Sequence, residues 1–172
     1  QDYAQKNRPI NGLAEKKKSF YLDGKRCDRT FANTGTFGRQ YDALHCDVEV
    51  VKGTDGNVGK FNQDSRMSVF AMGPLQGHHA VAYQLSFKTS SSENQILVST
   101  ATIWGNDVKG ALNLYLDDGQ PVVAISKTKT LKVDTTQLND NQWHTIKVSM
   151  PHDNSKLSDV TVDIDGKKAK TL

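Results

Sequence analysis

The chain has 172 residues, of which 36% are hydrophobic and 24% charged, with a formal net charge of +3. That length suits one domain, with or without an extension, and is enough to bury a sizeable core. The weak positive charge argues against a nucleic-acid binder, and no apolar run approaches the ~20 residues of a membrane-spanning helix.

No leader peptide is visible at Gln1, and a start other than Met is expected of a processed or excised chain. Residues 1–18 are polar, charged and aperiodic and read as an arm. Lys16-Lys17-Lys18, like Lys167-Lys168 with Lys170, suits a solvated face, with an acidic polymer such as a sulfated glycan as the alternative. Ser19 to Leu22 is a short strand ended by Asp23-Gly24. Cys27 to Gly38 is rich in Thr, Asn and Gly and reads as a loop, and Tyr41 to Val51 as a strand. Gly53 to Asn57 is a strong turn cluster. Beyond it, Phe61 stands alone among polar residues, and Met67 and Val69 alternate with Arg66 and Ser68.

The clearest alternation runs from Val81 to Phe87, with Val81, Tyr83, Leu85 and Phe87 on one face. Ile96 to Ile103 is the next strand, turned by Trp104-Gly105-Asn106-Asp107. Leu112, Leu114 and Leu116 alternate up to Asp118-Gly119, a hairpin signal, and Pro121 to Ile125 returns. Thr128 to Val133 follows. Polar Asn139, Asp140 and Asn141 then lead into Trp143-His144 and a strand with Ile146, Val148 and Met150 on its buried face. Val160 to Ile164 is the last strand, closed by Asp165-Gly166. Many short strands between turn signals, with no convincing amphipathic helix, predict an all-β antiparallel sandwich or jelly roll.

Cys27 and Cys46 are the two cysteines, close in sequence and not in a zinc-like spacing. They are expected to form a disulfide worth about 3 kcal/mol, which places the chain in an oxidising compartment. Catalytic signatures are missing: there is no G-x-S-x-G elbow, phosphate loop or dinucleotide fingerprint. The carboxylates that invite a glycosidase reading are Asp117, Asp118, Asp140, Asp163 and Asp165. They fall mostly in turns, where Asp caps the backbone, and none of the three Glu residues has a partner on a credible sheet face. Adjacent His78 and His79 point to opposite sides of an extended chain and suit a loop better than a shared metal. Calcium prefers loop oxygens, and Asn106-Asp107 at a strand end offers an amide and a carboxylate, as an ordinary turn also would.

The order of phrases resembles a laminin-G-like (LNS) domain. Leu138-Asn-Asp-Asn-Gln-Trp143-His144-Thr-Ile146-Lys-Val148 resembles the family's "L-x-D-G-x-W-H-x-V-x-V". Val162-Asp163-Ile164-Asp165-Gly166 supplies its "V-D-G". Leu85-Ser-Phe87-Lys-Thr89, Ile96-Leu-Val98, Leu112 to Val122 and Phe61-Asn-Gln-Asp-Ser65-Arg66 are similar to earlier phrases, so the likeness spans roughly Val58 to Gly166. In this chain Asn141 stands where the family has a turn glycine, and Asn tolerates positive φ.

The resemblance implies a concanavalin-A-like sandwich over 58–172; the polar arm (1–18) and a Cys-containing extension (19–57), expected to pack on the sandwich, precede it. It implies a secreted, non-catalytic module that binds a matrix or adhesion protein through rim loops, or else a carbohydrate-binding module dependent on calcium. Asp107 is the nearest match to the family's calcium aspartate, with Lys109 and Gly110 before the strand at Ala111. Ligand contacts are expected from Trp104, Asn106, Asp107, Lys109, His78 and His79. Trp143 is expected as a core anchor with His144 as its hydrogen-bonded neighbour, and Phe61 as a structural residue. The family normally adds strands after Gly166, so residues 19–51, another segment or a second subunit is expected to complete the sandwich.

Overall fold

In the computed structural model, which describes residues 20–22, 25–31, 43–68, 81–99, 113–125, 128–151 and 156–172, the described parts of the alternating stretches form antiparallel strands. Strands are numbered in chain order. The chain divides into two units, Gln1–Met72 and Gly73–Leu172. This boundary lies beyond the one expected before Val58. Val58 pairs with Val51 inside a hairpin, so the first unit runs on beyond it.

In the first unit β1 (Phe20–Leu22), β2 (Lys25–Phe31), β3 (Ala43–Cys46) and β6 (Arg66–Ser68) form one sheet in the order β1-β2-β3-β6. The strands β4 (Glu49–Gly53) and β5 (Gly56–Lys60) form a separate hairpin around Thr54-Asp55, within the predicted turn cluster. Cys27 and Cys46 lie directly opposite each other on β2 and β3 and are joined by a disulfide, with Cα atoms 4.1 Å apart. With Leu44 they make a small buried cluster.

Three expectations change here. Cys27 to Phe31 is strand rather than loop, because pairing with β3 supplies the order that its polar sequence does not. The strand expected over Tyr41 to Val51 is broken at Asp47, where φ is 53° and the Ser65 hydroxyl donates to the Asp47 carbonyl. Phe61 is not a core residue: it lies between β5 and β6, 52% exposed, and the phrase it opens belongs to the first unit and not to the sandwich.

The second unit contains two sheets. One holds β7 (Val81–Phe87), β12 (His144–Met150), β13 (Thr161–Ile164) and β14 (Lys167–Lys168) in the order β14-β13-β12-β7. The other holds β8 (Gln95–Val98), β9 (Asn113–Asp117), β10 (Gln120–Ala124), β11 (Thr130–Asp134) and β15 (Lys170–Thr171) in the order β15-β11-β10-β9-β8. Phe87, Ile146, Val148, Met150 and Val162 of the first sheet share one core with Leu114, Leu116, Val123 and Val133 of the second. Two antiparallel sheets meeting over a common apolar layer are a β-sandwich. Each fully buried aliphatic side chain there contributes about 1.5–3 kcal/mol.

The last residues join both sheets. After β14, the Ala169 amide donates to the Val162 carbonyl at 2.8 Å, and β15 then pairs with β11 as Val133↔Thr171 and Asp134↔Lys170. Residues 19–51 were one expected source of added strands. Among the described residues, their strands pair only with strands of their own unit.

Candidate functional site

Two tight turns and one longer loop build a rim at one end of the sandwich. Asp118-Gly119 connects β9 to β10 with φ of 46° and 80°, and Asp165-Gly166 connects β13 to β14 with φ of 51° and 83°. Positive φ at both central residues marks type I′ hairpins, for which Asp-Gly is a preferred pair. Between them runs the loop from Gln137 to Trp143. Leu138 plugs the core at 2% exposure, and its amide donates to the Gly119 carbonyl at 2.8 Å. Gln137 Nε2 donates to the Asp118 carbonyl at 2.8 Å. Asn139 Nδ2 donates to Asp118 Oδ1 at 3.1 Å and to the Ser91 carbonyl at 3.0 Å. The Asn141 amide, at φ 59°, donates to the Thr89 carbonyl at 2.9 Å. The loop is thus tied to the β9–β10 turn on one side and to residues 89–91 on the other.

His144 begins β12 on its inward face, beside Phe87, with ring centroids 6.3 Å apart. Its Nδ1 lies 2.8 Å from Asp165 Oδ2, and its Nε2 lies 2.7 Å from Asp140 Oδ1. Both carboxylates have further partners. The Thr145 amide donates to Asp165 Oδ1 at 2.8 Å, and the Gln142 amide donates to Asp140 Oδ1 at 3.1 Å. Partial burial by itself disfavours charge on the imidazole. The hydrogen bonds and charges of Asp165 and Asp140 outweigh it, so the His144 pKa lies above its ordinary value. The hydrogen bond from His144 in turn holds both carboxyls below the usual range, helped at Asp165 by the Thr145 amide. Ionised carboxylates only accept, so filling both contacts requires a proton on each ring nitrogen.

The outward face of the same sheet carries an open polar depression of about 370 Å³ lined by Gln84, Thr145, Lys147, Asp163, Asp165 and Gly166. Register sets the lining: Lys147 is opposite Gln84 on β7 and opposite Asp163 on β13. Ser86 and Thr145 are likewise opposite, with their hydroxyls 2.8 Å apart.

Of the residues singled out in the sequence, His78, His79, Trp104, Asn106, Asp107 and Lys109 lie outside the described residues. Trp143 is corrected: it is 52% exposed, and Leu138 fills the core at this end. The alternation itself carried that signal. Ile146, Val148 and Met150 point inward, so the odd-numbered Trp143 falls on the outward side with Thr145 and Lys147. His144 is hydrogen-bonded, with Asp140 and Asp165 as its side-chain partners. Those two aspartates, weighed in the sequence as possible acids of a glycosidase, face each other with the imidazole between them. Among the described residues no group of three or more His, Cys, Asp or Glu side chains is placed to hold a metal ion.

No curated protein sequence matches the chain. Among solved structures, a conserved carbohydrate esterase from Shiga toxin-encoding bacteriophage phi24B is similar with a TM-score of 0.46 and 23% identity, covering 78% of this chain and 73% of that one. A likeness that slight carries none of that protein's properties to this chain. The laminin G domain model matches residues 87–172, half of the chain, and takes in Phe87, the Trp143-His144 pair, Asp165 and both tail strands. The two-sheet core, the tied rim and this match agree, and the chain belongs to the laminin G domain family.

Proposed function

We propose that this chain is a secreted, non-catalytic binding module that presents its loop rim to a protein of the extracellular matrix or cell surface. The observation that carries the reading is the double hydrogen bond of His144. A catalytic imidazole needs a nitrogen free to take or give a proton at the substrate, and here carboxylates occupy both. The ring instead holds in place a loop that displays Trp143, a large half-exposed aromatic of the kind that anchors interfaces. The Cys27–Cys46 disulfide and the family suit an oxidising, extracellular setting, and no helix among the described residues is long and apolar enough to cross a membrane.

A second reading, a glycan-binding module, is favoured by the depression on the outer sheet face. It sets carboxylates, an amide, an ammonium and a hydroxyl within one sugar-sized hollow. Calcium dependence rests on Asp107 and its neighbours.

Surface binding against a panel of matrix proteins, beside a glycan array run with calcium and with chelator, separates the two. The rim reading expects a protein ligand whose affinity falls at least about 10-fold in Trp143→Ala, as for an interface anchor. Glycan binding lost in Lys147→Ala and retained in Trp143→Ala favours the second reading. Ester or glycoside hydrolysis abolished by His144→Gln overturns both.

A further inference from the structure

The two hydrogen bonds of His144 join two separate loops. Asp165 belongs to the β13–β14 turn and is fixed three times over. Its amide donates to the Thr145 carbonyl at 2.8 Å, one carboxylate oxygen takes the Thr145 amide, and the other takes His144. Asp140 sits in the Gln137–Trp143 loop with its side chain 48% exposed, and beyond His144 it is held by the Gln142 amide within its own loop. The charged groups facing the ring are Asp140 from that loop and Asp165 from the turn, and β7 offers the uncharged Phe87 ring.

A neutral imidazole carries one N–H, and its other nitrogen is a lone pair. Set against a carboxylate at 2.7–2.8 Å, that lone pair is repelled, and one of the two contacts must open. The Asp165 contact is the better braced, so the remaining proton stays on Nδ1 and the Nε2···Asp140 contact is lost. We propose that the Asp140–His144 contact is a proton-operated latch: it holds the Gln137–Trp143 loop closed against β12 while His144 is doubly protonated and frees Gln142 and Trp143 when the ring is neutral. The raised pKa of His144 places the latched form in mildly acidic to near-neutral solution.

The consequence rests on the binding reading above. Release moves the backbone on which Trp143 is displayed, so a ligand that uses Trp143 binds more tightly on the acid side. The ties at Leu138 and Asn141 do not titrate and keep the loop anchored at those two points, while Gln142 and Trp143, between Asn141 and His144, are freed.

The test needs no ligand. Amide hydrogen exchange is followed between pH 5.5 and 8.5 and corrected for intrinsic rate, alongside the imidazole ¹⁵N shifts of His144. The expected result is two protonated nitrogens at low pH, then a loss of protection at Gln142 of about 10-fold as the ring titrates, as fits loss of one solvent-exposed charge-assisted hydrogen bond. Ile146 and Val148 should stay protected throughout. Asp140→Asn should remove the pH dependence of Gln142 exchange, because a carboxamide can accept from a protonated Nε2 and donate to its lone pair, while the Asp165 contact persists. Protection at Gln142 that does not change through the His144 titration, or a neutral ring that keeps Nε2 protonated toward Asp140, would overturn the latch. Failure to find any partner would instead overturn the binding reading and leave these exchange results standing.

Discussion

His144 sets the pH dependence expected at the scale of one residue. Its pKa is raised on folding, so its stabilisation is complete below the ordinary value of 6.5 and is lost as pH rises through the folded value. The lowered carboxyls of Asp140 and Asp165 act oppositely: their contribution is complete above about 3.8 and is lost as pH falls through the folded values. The network therefore stabilises most between about pH 4 and 6.5. In urea unfolding, the wild type should lose stability from pH 6 to pH 8, whereas His144→Gln should start about 1–2 kcal/mol lower at pH 6 and show little further loss. An identical slope in both proteins would remove His144 as the titrating group. The neighbouring pair Leu138 and Trp143 gives a second contrast. Leu138→Ala should cost about 2–5 kcal/mol as a core truncation. Trp143→Ala, at a half-exposed site, should cost under about 1 kcal/mol. A Trp143→Ala loss as large as that of Leu138→Ala would restore the tryptophan to the core.

The two Asp-Gly turns look alike in the sequence and differ in their surroundings. At Gly119 a β-carbon would collide with the Asn139 carboxamide and lie 3.0 Å from the Asn139 amide nitrogen, on a backbone at φ +80. At Gly166 it would meet nothing within 4 Å, at φ +83. Gly166→Ala should cost about 1 kcal/mol, the left-handed penalty alone. Gly119→Ala should cost roughly 2–3 kcal/mol, because Asn139 must also give up its bond to Ser91. Equal losses in thermal unfolding would show that Asn139 moves aside freely. Strands with one buried face, such as β7 and β12, were legible because their period of two is written in the side chains. The paired Asp-Gly turns were legible because positive φ restricts residue choice. Strand β2 was not, since Cys27-Asp28-Arg29-Thr30-Phe31 has no apolar alternation and owes its order to a partner distant in sequence. The break at Asp47 was also hidden, as nothing near it announces Ser65, 18 residues away. At the rim, the two aspartates were visible as turn residues, but their meeting across His144 depends on Asp165 returning to it from 21 residues away.

For the molecule, the disulfide and the sandwich core are the main sources of order in their respective units. Replacing Cys27 and Cys46 with alanine should lower the stability of the first unit by about 3 kcal/mol, measured by urea titration of amide signals from β3 and β6. No change would mean that the β1-β2-β3-β6 sheet holds without its crosslink.

The tail of the second unit has a consequence for how these molecules meet each other in solution. The end strands β14 and β15 are two residues each, and they carry Lys167, Lys168 and Lys170, all exposed. One short segment thus occupies the outer margins of β13 and β11, covering each with a brief, cationic strip that offers little to a neighbouring chain seeking a strand to extend. Removing 167–172 would bare both margins at once. Such a truncated protein should self-associate, with larger species in light scattering that recede at high urea. Charge reversal of the three lysines in the full chain should leave its size in light scattering unchanged, because both margins stay covered.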